Sequence, residues 1–287
     1  MHLLLIANPT AGKNAPQHIE HARSALQEQG AEVELYLTRA AGDAEEQARK
    51  VRSGPFERIV AAGGDGTLNE VLNGLAGSDM PLGFIPLGTT NVFALEAGIP
   101  FEIGQAAAIA CSAAPRPVTL GIAGQRYFLL MAGVGFDGQV VGGVSPRLKR
   151  LFGKGAYLVA ALRQLIFAPP RLFAATLQGE PAKVSGLLLA NARCYGGTFT
   201  LTPAAHMCKP DLEACLIKRP GRYALLRQAL SLALCRPIPA NVGELRALTQ
   251  VQVTTPGIPV QIDGDYLGVT PMSFGCAEQA LQLIYPA

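Results

Sequence analysis

The sequence has no uncharged run that reaches the roughly 18 to 20 residues a helix needs to span a bilayer, so no helical membrane anchor is expected. Its first residues, Met1-His2-Leu3-Leu4-Leu5-Ile6, are too short an apolar run for a secretion signal. They lack a basic flank and meet Asn8-Pro9 at once, so they read as a first strand and the protein as cytoplasmic. There is no C-x-x-C pair: Cys111, Cys194, Cys208, Cys215, Cys235 and Cys276 are scattered without zinc spacing and read as reduced thiols. His206 has no second His or Cys at metal spacing and reads as a surface or cleft histidine. Charge is also scarce, with 16% charged residues and a net +3, which argues neither for a nucleic-acid surface nor for a strongly basic membrane patch. Internal repeats and low-complexity tracts are absent.

What is plentiful is apolar residues, 49% of the chain, which hints at contact with something apolar. At 287 residues the chain suits two domains with separate cores. Leu3 to Ala7 reads as a buried strand, His18 to Gln29 as a helix with Ile19, Ala22 and Leu26 on one face, and Val33 to Leu37 as a half-exposed strand ending at Thr38. Asp43, with Glu46 three residues on, opens a helix to Val51; Ile59 to Ala62 and Leu82 to Ile85 are further strands. Strands alternating with helices predict a parallel sheet covered on both faces. Ligands of such sheets sit at the carboxyl ends of the strands, where the Asn8, Thr38, Asp65 and Thr89 loops fall.

The pattern changes near Ala113 to Pro117. Short strand-like runs follow at Val118 to Ile122, Tyr127 to Ala132, Leu172 to Leu177, Val184 to Ala190, Leu212 to Ile217, Gln250 to Thr254 and Val260 to Ile262. Helices interrupt them over Tyr157 to Phe167 and Tyr223 to Leu234. The expected organisation is an α/β domain over 1–117 and a β-rich domain over 118–287, whose last residues return to the first.

Gly63 to Leu75, reading GGDGTLNEVLNGL, carries the most information. A buried strand delivers three glycines and an aspartate to its carboxyl end, and Thr67 opens a helix with Leu68, Val71, Leu72 and Leu75 at helical spacing. Glycine allows positive φ and close approach of a phosphate, and the helix start favours an anion. Asp65 does not suit a pure anion cradle. It suits a carboxylate that holds a divalent cation bridging to phosphates, or one that takes a proton from an attacking hydroxyl.

This stretch resembles the nucleotide-binding signature of the diacylglycerol kinase catalytic domain, shared by bacterial lipid kinases, sphingosine kinases and ceramide kinases. GGDGT alone is also similar to loops of NAD kinases and phosphofructokinases; Asn69-Glu70-Val71 with Asn73-Gly74 is what resembles the lipid branch. The resemblance implies an αβα nucleotide domain with a parallel sheet, then a β-sandwich-like domain, with the active site in the cleft between them. It implies nucleotide contacts from Asn8, Pro9 and Gly12, from Thr38, from Gly63, Gly64, Gly66, Thr67 and Glu70, and from Gly88, Thr89 and Asn91. Lys13, beside the first loop, reads as a phosphate contact or as a solvated lysine. The block Pro86 to Ala94 is similar to the family's Pro-x-Gly-Thr-x-Asn-Asp-Phe-Ala, with Val92 in place of the aspartate.

Ala132 to Asp137 and Asn191 to Gly197 also resemble family segments and read as tight turns lining the cleft, not dinucleotide fingerprints, since no suitably spaced helix is expected. Pro203 to Glu213 is similar to a stretch that binds a structural magnesium in bacterial relatives, which implies Asp211 as a ligand, although Leu212 stands where glycine is usual. Asp263-Gly264-Asp265 resembles the family's Asp-Gly-Glu, whose acidic third residue accepts the proton of the lipid hydroxyl. The same residues could form a hairpin turn.

The expected activity is transfer of the γ-phosphoryl of ATP, with Mg²⁺, to a lipid hydroxyl. Asp65 would serve the metal or the proton, and Asp263 with Asp265 would face the acceptor. Expected partners are a lipid presented by a membrane and reversible peripheral contact with that membrane; a homodimer stays open, and nucleic acid is not expected. The helix over Tyr223 to Leu234, with Lys218, Arg219, Arg222 and Arg227 nearby, is either a bilayer-docking face or a helix packing its leucines on the sheet. The alternatives are an NAD kinase and a non-catalytic nucleotide-binding regulator.

Overall fold

The computed structural model describes residues 1–144, 160, 163–164, 170–233 and 241–286. Two compact units are formed, Met1–Leu120 with Glu278–Ala287, and Gly121–Ala277.

The first unit runs β1 (His2–Ala7), α1 (Ala15–Glu28), β2 (Glu32–Leu37), α2 (Asp43–Val51), β3 (Arg58–Gly63), α3 (Asp65–Leu75), β4 (Pro81–Pro86), α4 (Val92–Ala97) and α5 (Ile103–Ser112). Its strands lie in the order β2-β1-β3-β4 and pair in parallel throughout, with Leu3 opposite both Val33 and Arg58 and Ile59 opposite Leu82. Gln282 and Leu283 extend the sheet in parallel beyond β4. Leu3 to Ala7 and Ile59 to Ala62 are wholly buried, as the central strands of a sheet covered on both faces must be, whereas β2 lies at the edge and alternates. The chain leaves β1 for β2 on one side and returns to β3 on the other. That reversal opens a crevice at the carboxyl ends of β1 and β3.

The second unit is a β-sandwich. One layer is a six-stranded antiparallel sheet in the order Gly243–Leu248, Leu212–Ile217, Gly186–Ala190, Met131–Gly135, Pro259–Ile262, Asp265–Val269. The other contains Phe173–Leu177, Glu180–Val184 and Gln250–Val253, with Met272 to Gly275 paired to the last. Alternate residues of both layers meet in one core: Ala132 and Val134, Leu187 and Leu189, Val260 and Ile262 from the first, and Phe173, Ala175, Leu177, Val251 and Val253 from the second.

The expected fold class holds in both units, and the departures are local. The expected strand Tyr127 to Ala132 is two strands, Arg126–Phe128 and Met131–Gly135, because the amides between them are taken by an aspartate side chain. Val184 to Ala190 is likewise divided at Ser185, whose N–H and hydroxyl both turn to the Ile217 carbonyl. A helix, Phe136–Gly142, follows Gly135 where none was expected. Its strand pairs only antiparallel, so it still makes no dinucleotide-binding unit. Of the helix expected over Tyr157 to Phe167, Ala160, Arg163 and Gln164 are described and are helical, and the rest lies outside the described residues. Among the described residues no helix is long and apolar enough to cross a membrane.

Helices α2 and α3 pack closely at Gly74, where a Cβ would stand 2.5 Å from the Glu45 carbonyl oxygen and 2.6 Å from the Ala48 Cβ. Both neighbours are helix framework, so the helices must separate to admit a methyl group. Gly74→Ala is therefore expected to cost about 1–3 kcal/mol despite alanine's better helix propensity. Urea denaturation of the two proteins measures this; an unchanged or higher midpoint would contradict the packing.

Candidate functional site

Three loops at the carboxyl ends of β1, β3 and β4 are fastened to one another. The Gly63 carbonyl accepts the N–H groups of Leu87 (2.8 Å) and Gly88 (3.0 Å), and Asn8 Nδ2 donates to Thr67 Oγ1 at 3.3 Å. Asn8 Oδ1 holds its own loop by accepting from Thr10 N–H at 2.9 Å and Thr10 Oγ1 at 2.8 Å. Gly12, at φ +75°, backs onto the Leu87 carbonyl, leaving no room for a side chain. A Cβ on Gly63 would collide with the Thr67 hydroxyl, and one on Gly88 would lie 2.6 Å from the Gly64 Cα and 2.6 Å from Asn91 Oδ1. Gly12 and Gly88 are thus required by close backbone approach, and Gly63 by the Thr67 side chain that lies over it.

Asp65 completes the clamp. Its carboxylate accepts the N–H of Val92 at 2.8 Å and of Phe93 at 3.1 Å, capping α4 from a distant loop. Asn91, directly before α4, is in the left-handed region at φ 48° and makes no side-chain cap; its Nδ2 donates to the Gly88 carbonyl at 2.8 Å. Asn91 Oδ1 is buried with no hydrogen-bond partner among the described residues. Helix α3 begins at Asp65 rather than at Thr67, so Asp65, Gly66 and Thr67 form its first turn, with amides that lack helical partners. Thr38 joins this end of the sheet, its N–H donating to the Ala7 carbonyl at 2.9 Å, and Thr89 stands exposed on the third loop. Pro9 is half-buried in the first loop and Lys13 is exposed.

Glu70 is placed elsewhere. Its carboxylate accepts the Ala44 N–H at 3.2 Å, in the first turn of α2, and so ties α3 to α2. A 540 Å³ cavity lined by Arg52, Phe56, Asp79 and Met80 opens at the amino ends of β3 and β4, the far end of the sheet from these loops.

In the second unit Asp263-Gly264 is the two-residue turn of the hairpin Pro259–Ile262/Asp265–Val269, with φ +48° and +87° as a type I′ turn requires. The Asp263 carboxylate accepts the N–H groups of Leu129 (2.8 Å), Leu130 (2.9 Å) and Met131 (3.0 Å). It ties the hairpin to the next strand. Asp265, exposed, starts the outgoing strand; Tyr266, the next residue, is 52% exposed, and Val269, at the strand's far end, is 50% exposed.

One group escaped the sequence reading. Asp137 accepts a hydrogen bond from the Tyr195 hydroxyl at 2.5 Å and from Gln261 Nε2 at 2.6 Å, while Gln261 Oε1 accepts the Gly264 N–H at 2.8 Å. The two supposed turn motifs therefore meet beneath the Asp-Gly-Asp hairpin. Although Asp137 as a residue is partly exposed, its oxygens are enclosed by these partners, and burial raises its pKa above the ordinary 3.8 while the hydrogen bonds oppose the rise. Burial and the neighbouring Asp137 push the Tyr195 hydroxyl well above 10. Gln261 is 2% exposed between the buried Val260 and Ile262, and a glutamine set between two apolar strand residues was the signal available in the sequence.

The glycine-lined loops and the orphaned Asn91 oxygen fit a nucleotide's phosphates and polar groups. For a metal, the described residues contain no cluster of three His, Cys, Asp or Glu side chains, so any cation would depend on Asp65's remaining lone pairs and on the phosphates themselves. At Asp211, half-buried before Leu212–Ile217, backbone carbonyls would have to complete the shell, and one in the same loop, that of Ala204, already accepts Lys209 Nζ at 2.7 Å.

Comparison with known proteins agrees with this geometry. Residues 2–123 match the family model of the diacylglycerol kinase catalytic domain, and residues 131–285 match the YegS C-terminal NAD kinase beta sandwich-like domain. The chain is 34% identical over 280 residues to a probable lipid kinase YegS-like of Pseudomonas putida, covering 93% of this chain and 91% of the relative. It is 29% identical over 289 residues to the diacylglycerol kinase of Bacillus subtilis, covering 98% and 95%. A crystal structure of a diacylglycerol kinase from Bacillus anthracis shares the fold, with a TM-score of 0.79 at 22% identity over 99% of this chain and 97% of that one.

The Asp137 environment makes a pH prediction. A raised folded pKa contributes stability that is fully present below the unfolded value and lost as pH rises through the folded value. Asp137→Asn removes that loss. The stability of the variant relative to wild type should therefore climb from about pH 4 upward, whatever constant offset the amide introduces. Parallel urea titrations from pH 3.5 to 7 test this, and a pH-independent offset would show that the buried carboxyl does not titrate abnormally.

Proposed function

The chain belongs to the diacylglycerol kinase catalytic domain family of lipid kinases, and on that premise we propose that it transfers the γ-phosphoryl group of ATP to a hydroxyl of a membrane lipid such as diacylglycerol. The observation that carries the reading is the double clamp between the β3 and β4 loops, Gly63 to Leu87 and Gly88, and Asp65 to Val92 and Phe93. It holds the start of α3, whose first amides have no partner within the helix, in one fixed arrangement with the capped start of α4, as binding a polyphosphate without reorganisation demands.

In this reading Gly63, Gly64, Gly66 and Thr67 meet the phosphates through backbone amides, and Asn8, Gly12, Thr38, Gly88, Thr89 and Asn91 complete the nucleotide site. Mg²⁺ carried with the nucleotide neutralises phosphate charge. Asp65 orients the loops and offers its remaining lone pairs to that cation. In the second unit Asp265 takes the acceptor hydroxyl's proton, with the exposed Tyr266 next to it suited to an apolar substrate. Asp263 and the Asp137–Gln261 pair hold the hairpin that carries Asp265. Catalysis then rests on positioning and charge neutralisation, as phosphoryl transfer requires. The protein would work in the cytoplasm, reversibly at the membrane surface.

Radiolabelled ATP with Mg²⁺, offered diacylglycerol in mixed micelles or NAD in solution, tests the assignment. Label in the lipid alone is expected; label in NAD alone would overturn it. Asp265→Asn should lower kcat about 10²-fold or more with little change in the KM for ATP, and Asp265→Glu should be tolerated. A loss expressed in the KM for ATP would remove Asp265 from the acceptor role. Asp65→Asn keeps one acceptor oxygen but turns an amide donor towards the α4 N–H groups. It should abolish transfer, and wild-type turnover at saturating Mg²⁺ would contradict its placement.

A further inference from the structure

The hydrogen bonds around Asp137 have one workable polarity. Asp137 lies in the first turn of helix Phe136–Gly142, Tyr195 in the short strand Cys194–Tyr195 and Gln261 in the strand Pro259–Ile262, so three separate segments meet at one carboxyl. Two glycines give the carboxyl its room. A Cβ on Gly133 would collide with the Asp137 carboxylate and stand 2.8 Å from Gln261 Nε2, and one on Gly138 would collide with the Pro259 carbonyl and push the helix off its strand.

An amide side chain has a donor end and an acceptor end. The N–H of the turn residue Gly264 takes the Gln261 oxygen at 2.8 Å, which leaves the Gln261 NH₂ group to face Asp137 at 2.6 Å. Asp137 must therefore accept on that side. On its other side it accepts the Tyr195 hydroxyl at 2.5 Å. A carboxylate accepts through both oxygens, whereas a neutral carboxyl or an amide carries a donor on one side. A donor facing Gln261 would oblige the glutamine to turn its oxygen away from Gly264. A donor facing Tyr195 would leave the tyrosine's own proton without its partner in an enclosed site.

We propose that Asp137 is a positioning residue for the transfer step and that it acts through this polarity: its carboxylate, accepting from both sides, turns the Gln261 oxygen to the Gly264 N–H and so fixes the turn from which Asp265 leaves. Gly264 directly precedes Asp265, and its N–H belongs to the turn's central peptide. The orientation of that peptide sets the path of the chain into Asp265. Asp263 holds the turn from its other residue, through the amides of Leu129, Leu130 and Met131. The proposal rests on the lipid-kinase reading for the role of Asp265; the tether does not.

Exchanging the two functional groups is the test. Asp137→Asn should lower kcat for diacylglycerol phosphorylation about tenfold or more with the KM for ATP unchanged, because displacing a catalytic group acts on the transition state. Gln261→Glu should do the same, since it sets a second carboxylate against the first. Asp137→Asn combined with Gln261→Glu restores every bond with the ends reversed. Tyr195 then donates to the introduced amide's oxygen, its NH₂ donates to the introduced carboxylate, and that carboxylate accepts the Gly264 N–H. The double variant should recover most of the lost kcat, a coupling that two independent structural defects would not show. Hydrogen exchange of the peptide containing Gly264, followed by mass spectrometry, needs no substrate: it should be faster in each single variant and near wild type in the double one. A double variant as impaired as the worse single one, or single variants with wild-type kcat, overturns the positioning role. Exchange raised throughout the protein in both single variants and still high in the double one also overturns it, because Asp137 would then hold the fold and not the turn. If exchange follows the expected order while wild type phosphorylates no lipid, the kinase reading falls and the tether stands.

Discussion

The Asp65 carboxylate, shared between two amides at the start of α4, is the interaction on which the first unit's site depends. A short helix such as α4 has few hydrogen bonds of its own, and its first amides need outside partners. Supplying them from the loop after β3 fixes the β4 loop relative to the α3 start. Gly63 repeats the connection through its carbonyl, and the glycine contacts make it tight by leaving no volume for side chains between the two backbones. A site meant for a polyphosphate gains from this because its donors are already ordered when the ligand arrives.

The second unit solves the same problem with other groups. A type I′ turn alone would leave Asp265 on the end of an edge hairpin. Asp263 pins the turn to three amides of the neighbouring chain, and Gln261 links the turn's Gly264 to the enclosed Asp137 and through it to Tyr195. Enclosing a carboxyl costs free energy unless its oxygens are hydrogen-bonded, and here both accept. Acidic residues that look like candidate catalysts thus serve largely to hold one that is exposed.

The parallel sheet, its loops and the strand-rich second half were legible because apolar periodicity and glycine punctuation report directly on local structure. The site was legible as a set of residue types, and less so as roles. Glu70 and Gly74 could be read as signature residues, but that one caps α2 and the other admits it closely depends on a helix that lies elsewhere in sequence. The break between Phe128 and Met131 was hidden for the same reason, since its cause, Asp263, is more than 130 residues away. The Asp137–Tyr195–Gln261 group joins three segments, none of which shows the contact by itself. Local pattern carries the first kind of information, and only the folded chain carries the second.

Val92 shows how these levels combine. The family pattern described from the sequence has an aspartate at this position, and a buried carboxylate there would lie next to the already capped start of α4. The valine is 8% exposed, and its backbone N–H donates the 2.8 Å hydrogen bond to Asp65. That contribution to the clamp belongs to the main chain and survives any side chain that allows the helix start. Replacing a carboxylate by an apolar group next to Asp65 also removes a like charge from the loop junction. The substitution changes what this position offers a ligand without loosening the frame that presents the first amides of α3.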